Sequence, residues 1–394
     1  MYNQRDRNAE AGQSLVLLAI MLLVLIGVLA LVLDGGNLYA KRRSAQNAAD
    51  AGALAGAREL CLTKDASQAF YMAQQYSEVH NGPTSAAIAV GTDTVTVTAR
   101  ITTNTYFAHL IGFPTATVEA TAAAGCFSAT FGESILPVAW ACRPPIAGGN
   151  STSPTCQEQA LTEDQLKYYL THPLSQNPNP QIYPELYVIM DAKSEPDDLT
   201  RACISGGGAI PCDLDGDGED DLIANGDRSW LDLNGGGGGA VELSNWIDNG
   251  FSGIITRHTW LGPEAGVADS VFQTTGNHVG QIVVIPVFDE ICNNYPTPTC
   301  SSLVHPGDTI VATSGGNYYY HIITFAAFYI SCVNAPGVPG PECPGHAVAR
   351  SLDAIKNNEK TIEGYFVKGI FSGLGGGAPG GGIDTGAYSL KLIR

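Results

Sequence analysis

The sequence predicts an α+β chain in three parts: an N-terminal transmembrane and stalk helix, a small αβ unit, and a mostly β outer domain. Three observations carry that expectation. An uncharged apolar run, Ser14 to Leu33, lies near the start; a proline-free stretch rich in Ala, Leu, Lys, Arg and Gln follows it; and beyond residue 130 apolar or alternating segments recur between Pro, Gly and Asn turns.

The run SLVLLAIMLLVLIGVLALVL is 20 residues long. At about 1.5 Å per residue it spans roughly 30 Å, the thickness of a bilayer's hydrocarbon core. The apolar part of a cleavable signal is usually ~7–15 residues, and the Ala51-Gly52-Ala53 set lies far beyond the run. The reading is therefore a permanent anchor over 14–33, with residues 1–13 as a cytoplasmic tail. Residues 34–60 continue as a stalk helix. Gly35 and Gly36 each cost about 1 kcal/mol of helix propensity and mark the expected bend. Ala48, Gly52 and Gly56, four apart, form a row that lets another backbone approach closely, either the chain's own sheet or a neighbouring subunit's helix. Gly27, inside the span, is a further candidate packing position.

Residues 61–130 read as the small αβ unit. TKDASQAFYMAQQYSEVHNG places Ala66, Phe70, Ala73 and Tyr76 at helical spacing, with a stop at Asn81-Gly82. TVTVTARITT alternates as a strand, TYFAHLIG is a short helix or turn, and TATVEATAAAGC is a second strand. Residues 131–394 form the mostly β domain. Its expected strands are SILPVAW, ELYVIMD, GQIVVIPVFD, DTIVAT, YYYHIITFAAFYI and TIEGYFVKGIF; its one clear helix is AVELSNWIDN, stopped at Gly250. SLVHPGDTIV and FDEICNNYPTPTC read as loops joining strands. The glycine-rich segment 372–386 reads as a linker unable to pack a core.

Glu10-Ala11-Gly12-Gln13, the apolar run, and then LDGGNLYAKRRSAQNAADAGALAGA together resemble the N-terminal segment of the Flp/Tad pilus-assembly TadE/TadG-like family. The resemblance covers about the first sixty residues. It implies a single-pass, surface-exposed, non-catalytic component of a tight-adherence (Tad) pilus system, an assembly factor or a minor pilin-like subunit. The membrane and other Tad/Flp pilus components or pilin subunits would be its partners, and the 61–130 unit would be pilin-like. The alternative is a calcium-stabilised cell-surface adhesin or binding module on a TadG-like anchor. Two family features are missing. The glutamate that a Flp-type prepilin peptidase requires five positions after glycine is Leu17, counted from Gly12. The Asp-x-Ser-x-Ser metal motif of a von Willebrand A domain fails after LYVIMD, where Lys193 and Glu195 hold the serine positions. Trp230 to Gly237 and Tyr320 to Phe328 also resemble segments of Tad-associated proteins.

With 38 acidic and 20 basic residues the net charge is −18, which argues against nucleic acid as partner. Ten cysteines lie outside the span. Cys142 and Cys156, Cys203 and Cys212, Cys292 and Cys300, and Cys332 and Cys343 each bracket a loop, leaving Cys61 and Cys126 as a fifth candidate pair. An even count without Cys-x-x-Cys favours disulfides over metal ligation, although the connectivity stays open. Basic residues alone, Arg5 and Arg7 before the run against Lys41, Arg42 and Arg43 after it, would put the C-terminal side in the cytoplasm. Disulfides need an oxidising side, and long domains translocate despite such a count, so the expected topology is N-terminus cytoplasmic and body extracytoplasmic at the cell membrane.

The strongest local chemistry is Asp213, Asp215, Asp217, Glu219 and Asp221, with Gly218 at the sixth position of a loop spanning 213–221. Carboxylates at positions 1, 3 and 5 before a glycine match the first half of an EF-hand-type loop, so a structural Ca²⁺ is the expected cofactor, with the Glu219 carbonyl as a further ligand. Position 12 is Ala224, so Asp221 has to replace the closing glutamate. No nucleophile elbow, His-Glu-x-x-His, phosphate loop or dinucleotide fingerprint occurs, and no small-molecule substrate is evident. His321, on an apolar strand, reads as a hydrogen-bonded core histidine.

Overall fold

The structure is a computed structural model that describes residues 6–83, 85–141, 160–171, 187–191, 230–264, 268–293, 306–311, 318–340, 343, 360–376 and 384–393. The chain divides into two compact units, residues 1–125 with 391–394, and residues 126–390.

The first unit is built on α1, Asp6–Thr63, which runs unbroken through Gly35 and Gly36. The expected bend does not interrupt it: two glycines weaken a helix by about 2 kcal/mol, and breaking it there would orphan several backbone groups. Asp65 caps α2, Ala66–Gln74, by accepting from the N–H groups of Ser67 and Gln68. A π-helical turn, Gln75–Val79, extends α2, and Asn81 Nδ2 donates to the Tyr76 carbonyl where the chain turns at Gly82. The strands β1, Ser85–Val90, and β2, Thr94–Asn104, and the first part of β3, Thr115–Gly132, follow as an antiparallel meander. Strand β1 was not anticipated, because SAAIAV is too small and mixed to stand out.

Register explains the packing of this unit. Val95, Val97 and Ala99 on β2 face Ala124, Ala122 and Ala120 on β3, and all are buried. The intervening pairs point to solvent, where the Thr98 and Thr121 hydroxyls meet at 2.9 Å and Arg100 meets Glu119 at 2.8 Å. The buried residues of α1 beyond its apolar run are mainly small: Ala45, Ala48, Ala49, Gly52, Ala53, Gly56 and Ala57. Of the expected apolar face of α2, Ala66, Phe70, Ala73 and Tyr76, only Ala73 is buried; the buried face is Ala69 and Ala73, continued by Ser77, while Ala66, Phe70 and Tyr76 are exposed. Small residues win because the facing helix approaches too closely to admit a ring.

The second unit begins within β3. Its 126–132 end pairs with β6, Ile255–Thr256, and with β13, Leu374–Gly376. The central sheet has the order β4-β8-β10-β11-β5, formed by Trp140–Ala141, Ile282–Asn293, Tyr318–Asn334, Thr361–Val367 and Tyr187–Asp191. Strand β7, Thr259–Leu261, joins the N-terminal part of β10, and β9, Thr309–Val311, lies parallel to β7. Helices α3, Glu163–Thr171, α4, Gly239–Asn249, and α5, Asp269–Gly276, complete the unit with the parallel pair β12, Gly369–Ile370, and β14, Ala387–Ile393. The core gathers Trp230, Leu243, Trp246, Phe272, Ile285, Phe325, Phe328 and Phe366.

Three local expectations need correction. Of SILPVAW only Trp140 falls in a strand, β4, although Ile135 to Ala139 are buried. Strand β8 runs through the supposed FDEIC loop to Asn293. The glycine-rich 372–386 segment does contribute to the core: Leu374 packs in it, and the Thr385 hydroxyl donates to the Phe325 carbonyl. Gly375 lets the Phe131 ring lie against its backbone, where a Cβ would sit 1.7 Å from the ring.

Candidate membrane anchor and its clasp

Helix α1 changes character along its length. From Leu15 to Leu33 its large apolar side chains are exposed, with Leu15, Leu23 and Leu31 at 72%, 68% and 75%. It is the one helix among the described residues that is long and apolar enough to cross a membrane. Past Ala45 the same helix is buried on one face by α2 and β2. A Cβ at Gly52 would meet Ser77 Cβ at 2.7 Å and the Ala73 carbonyl at 2.9 Å; one at Gly56 would meet the Ala69 carbonyl, Ala73 Cβ and Val95 Cγ1, each at 2.9 Å. Ala48 completes the row, fully buried. The partner of these small residues is therefore the chain's own α2, with one sheet residue. A Cβ at Gly27, Gly35 or Gly36 would meet nothing within 4 Å beyond the helix itself.

Between the two halves stands Asp34, one residue past the apolar run and only 8% exposed. Its carboxylate accepts from Tyr106 N–H at 2.7 Å, Phe107 N–H at 3.0 Å and Ala108 N–H at 2.8 Å. Those donors are the free N–H groups at the start of a 3₁₀ turn, Ala108–Ile111, so the anion sits where a helical N-terminus favours it. The Ala108 hydrogen bond holds the carboxyl below its ordinary pKa; partial loss of water opposes this, and Tyr106 and Phe107 add to the lowering. The loop is closed at its base by Thr105, which donates its N–H to the Pro114 carbonyl and its hydroxyl to the Phe113 carbonyl.

What Asp34 holds is apolar. Tyr106, Leu110 and Phe113 are 68%, 77% and 65% exposed, and Tyr39, a turn and a half further along α1, is 73% exposed. From Ile101 to Val118 the chain carries no Asp, Glu, Lys or Arg. Sequence reasoning missed the clasp; the available signal was a lone aspartate directly abutting a membrane run.

Of the other candidate residues, Asp213, Asp215, Asp217, Glu219 and Asp221 lie outside the described residues, as do Cys142, Cys156, Cys203, Cys212 and Cys300. Cys292 falls in β8. Cys332 and Cys343 form a disulfide with Cα atoms 5.6 Å apart, and Cys61 and Cys126 are each disulfide-bonded.

These features define a class: a protein with a membrane-type helix near its N-terminus that continues as the packed spine of an αβ unit. Residues 12–59 match the model of a family described as putative Flp pilus-assembly TadE/G-like, so this chain carries a TadE/G-like segment over the anchor and spine. No curated protein and no solved structure matches the chain.

Proposed function

We propose that this protein is a single-pass, membrane-anchored structural component of a Tad/Flp-type pilus system, with its N-terminus cytoplasmic and its body extracytoplasmic. The observation that carries the reading is the coincidence of the TadE/G-like match with a helix whose first half is an exposed apolar belt and whose second half is a buried spine. The disulfide-bonded cysteines support the orientation, because such bonds persist on an oxidising side. The role is non-catalytic: assembly or minor pilin-like, with pilus components as partners.

The Asp34 clasp adds a second membrane contact to this reading. It ties the Tyr106–Phe113 loop to the residue at which α1 leaves the hydrocarbon, so Tyr106, Leu110, Phe113 and Tyr39 form a collar at the lipid–water boundary. Aromatic side chains with one apolar and one polar end favour that boundary.

Tagged full-length chain, solubilised from its host's membranes, should co-purify with pilin or pilus-assembly proteins, and its deletion should reduce surface pili. Normal piliation in the deletion strain, with no pilus protein recovered, would overturn the assignment. The collar is tested separately: a Phe113→Trp variant in bilayers should be quenched by brominated lipid beyond the four native tryptophans' response.

A further inference from the structure

In the second unit, strand pairing sets Trp260 beside His321, and the residues that lead into β7 and β9 bring His258 and Asp308 next to them. His321 on β10 pairs directly with Trp260 on β7, and Thr259 and Trp260 on β7 pair with Thr309 and Ile310 on β9. His258 lies two residues before Trp260, and Asp308 two before Ile310. Trp260 and His321, directly paired, share one face of the sheet, and the side-chain contacts below place His258 and Asp308 beside them. His258 has a left-handed backbone, φ +63°, and both its backbone groups are fixed: its N–H donates to the Ile322 carbonyl at 2.6 Å, and its carbonyl accepts from Thr309 N–H at 2.9 Å.

The side chains converge as a result. His258 Nδ1 lies 3.4 Å from His321 Nε2, His321 Nε2 lies 3.9 Å from Asp308 Oδ2, and all three atoms fall within 4.8 Å of one another. The side chains of His321 and Asp308 are only 6% and 5% exposed, whereas His258 is exposed and leaves one side open to solvent. Trp260 fixes both buried groups. Its Nε1–H donates to Asp308 Oδ2 at 3.0 Å, and its ring stacks on His321 at 4.8 Å between centroids.

We propose that His258 Nδ1, His321 Nε2 and Asp308 Oδ2 form a binding site for a divalent transition metal of the zinc class. Ligands about 2.0–2.2 Å from a tetrahedral zinc stand roughly 3.3–3.6 Å apart, so the histidine pair already has the spacing, and the carboxylate, 3.9 Å from His321 and within 4.8 Å of His258, closes the triangle by a shift of up to about an ångström. Two imidazoles and one carboxylate select zinc-like ions over Ca²⁺ or Mg²⁺, which take oxygen donors. Trp260 supplies the outer hydrogen bond that orients a ligating carboxylate. Three protein ligands leave a fourth position on the solvent side, beside His258. The site is independent of the pilus reading and of the 213–221 loop.

The test uses the full-length chain in detergent, stripped with chelator and titrated with Zn²⁺ in the presence of excess Ca²⁺. One Zn²⁺ per chain should bind and raise the melting temperature, and Co²⁺ in its place should give the visible absorption of a tetrahedral site. His258→Gln, at the exposed ligand, should keep the metal-free melting temperature and bind Zn²⁺ at least ~10-fold more weakly. Asp308→Asn should weaken binding in the same way. Wild-type protein that takes up no Zn²⁺, or a His258→Gln variant that binds as tightly as wild type, would reduce the cluster to a hydrogen-bonded core pair.

Discussion

The two halves of α1 differ in the direction opposite to ordinary burial. The half richest in Leu, Ile and Val, residues 15–33, is exposed, while the Ala- and Gly-rich half beyond residue 45 supplies buried residues to the core of its unit. In water the first half would be the one to hide. The comparison teaches that the halves meet different surroundings: lipid tails reward large side chains and need no protein partner, whereas a helix packed at close range on another rewards residues with no side chain to displace. Gly27 with open space around it and Gly56 with three atoms at 2.9 Å state the same contrast at single positions.

The sharpest way to break that contrast is to charge the first half. Leu23→Arg with Leu25→Arg should together cost roughly 5–7 kcal/mol of insertion free energy, at about 2.5–3.5 kcal/mol each. The protein should then leave the membrane fraction on carbonate washing. A smaller effect is expected in the second half. Gly56→Leu should destabilise the first unit by about 1–3 kcal/mol through overpacking against the Ala69 carbonyl and Val95, read as a lower melting temperature. Membrane retention should be unchanged.

Asp34 tests the junction. Asp34→Ala should speed hydrogen exchange at the amides of residues 106–108 without releasing the protein from membranes. Because its pKa is lowered on folding, its contribution is complete above the ordinary aspartate value of about 4 and is lost as pH falls through the folded value. Acidification should therefore reproduce the exchange behaviour of the alanine variant. The smallest effect belongs to Gly36→Ala, which has open space around it and should stabilise the helix by about 0.4–1 kcal/mol.

The anchor and the strands flanking Val97 and Phe325 were legible because their signals are local: an unbroken apolar run, or alternation over a few residues. The face of α2 was misread because bulk was taken as the mark of burial, and here Ala69 and Ala73 carry it. The cap of α3 was missed although Thr162 and Gln165 form a reciprocal pair of backbone hydrogen bonds, Thr162 N–H to Gln165 Oε1 at 2.9 Å and Gln165 N–H to Thr162 Oγ1 at 3.3 Å. The partners in the Asp34 clasp and in the His258–Asp308–His321 cluster escaped for another reason. Each site joins residues far apart in the chain that only strand pairing and helix packing bring together, and neither has a spacing that a sequence pattern could detect.

The central claim, that lipid surrounds the first half of α1 and that the chain beyond Asp34 lies outside the hydrocarbon, is tested most directly by thiol accessibility in intact cells. A membrane-impermeant maleimide, applied to variants with one cysteine added to the wild-type chain and compared with wild type, should label Tyr39→Cys and leave Leu23→Cys unlabelled until the membrane is dissolved. Equal labelling of both positions in intact cells would contradict the account.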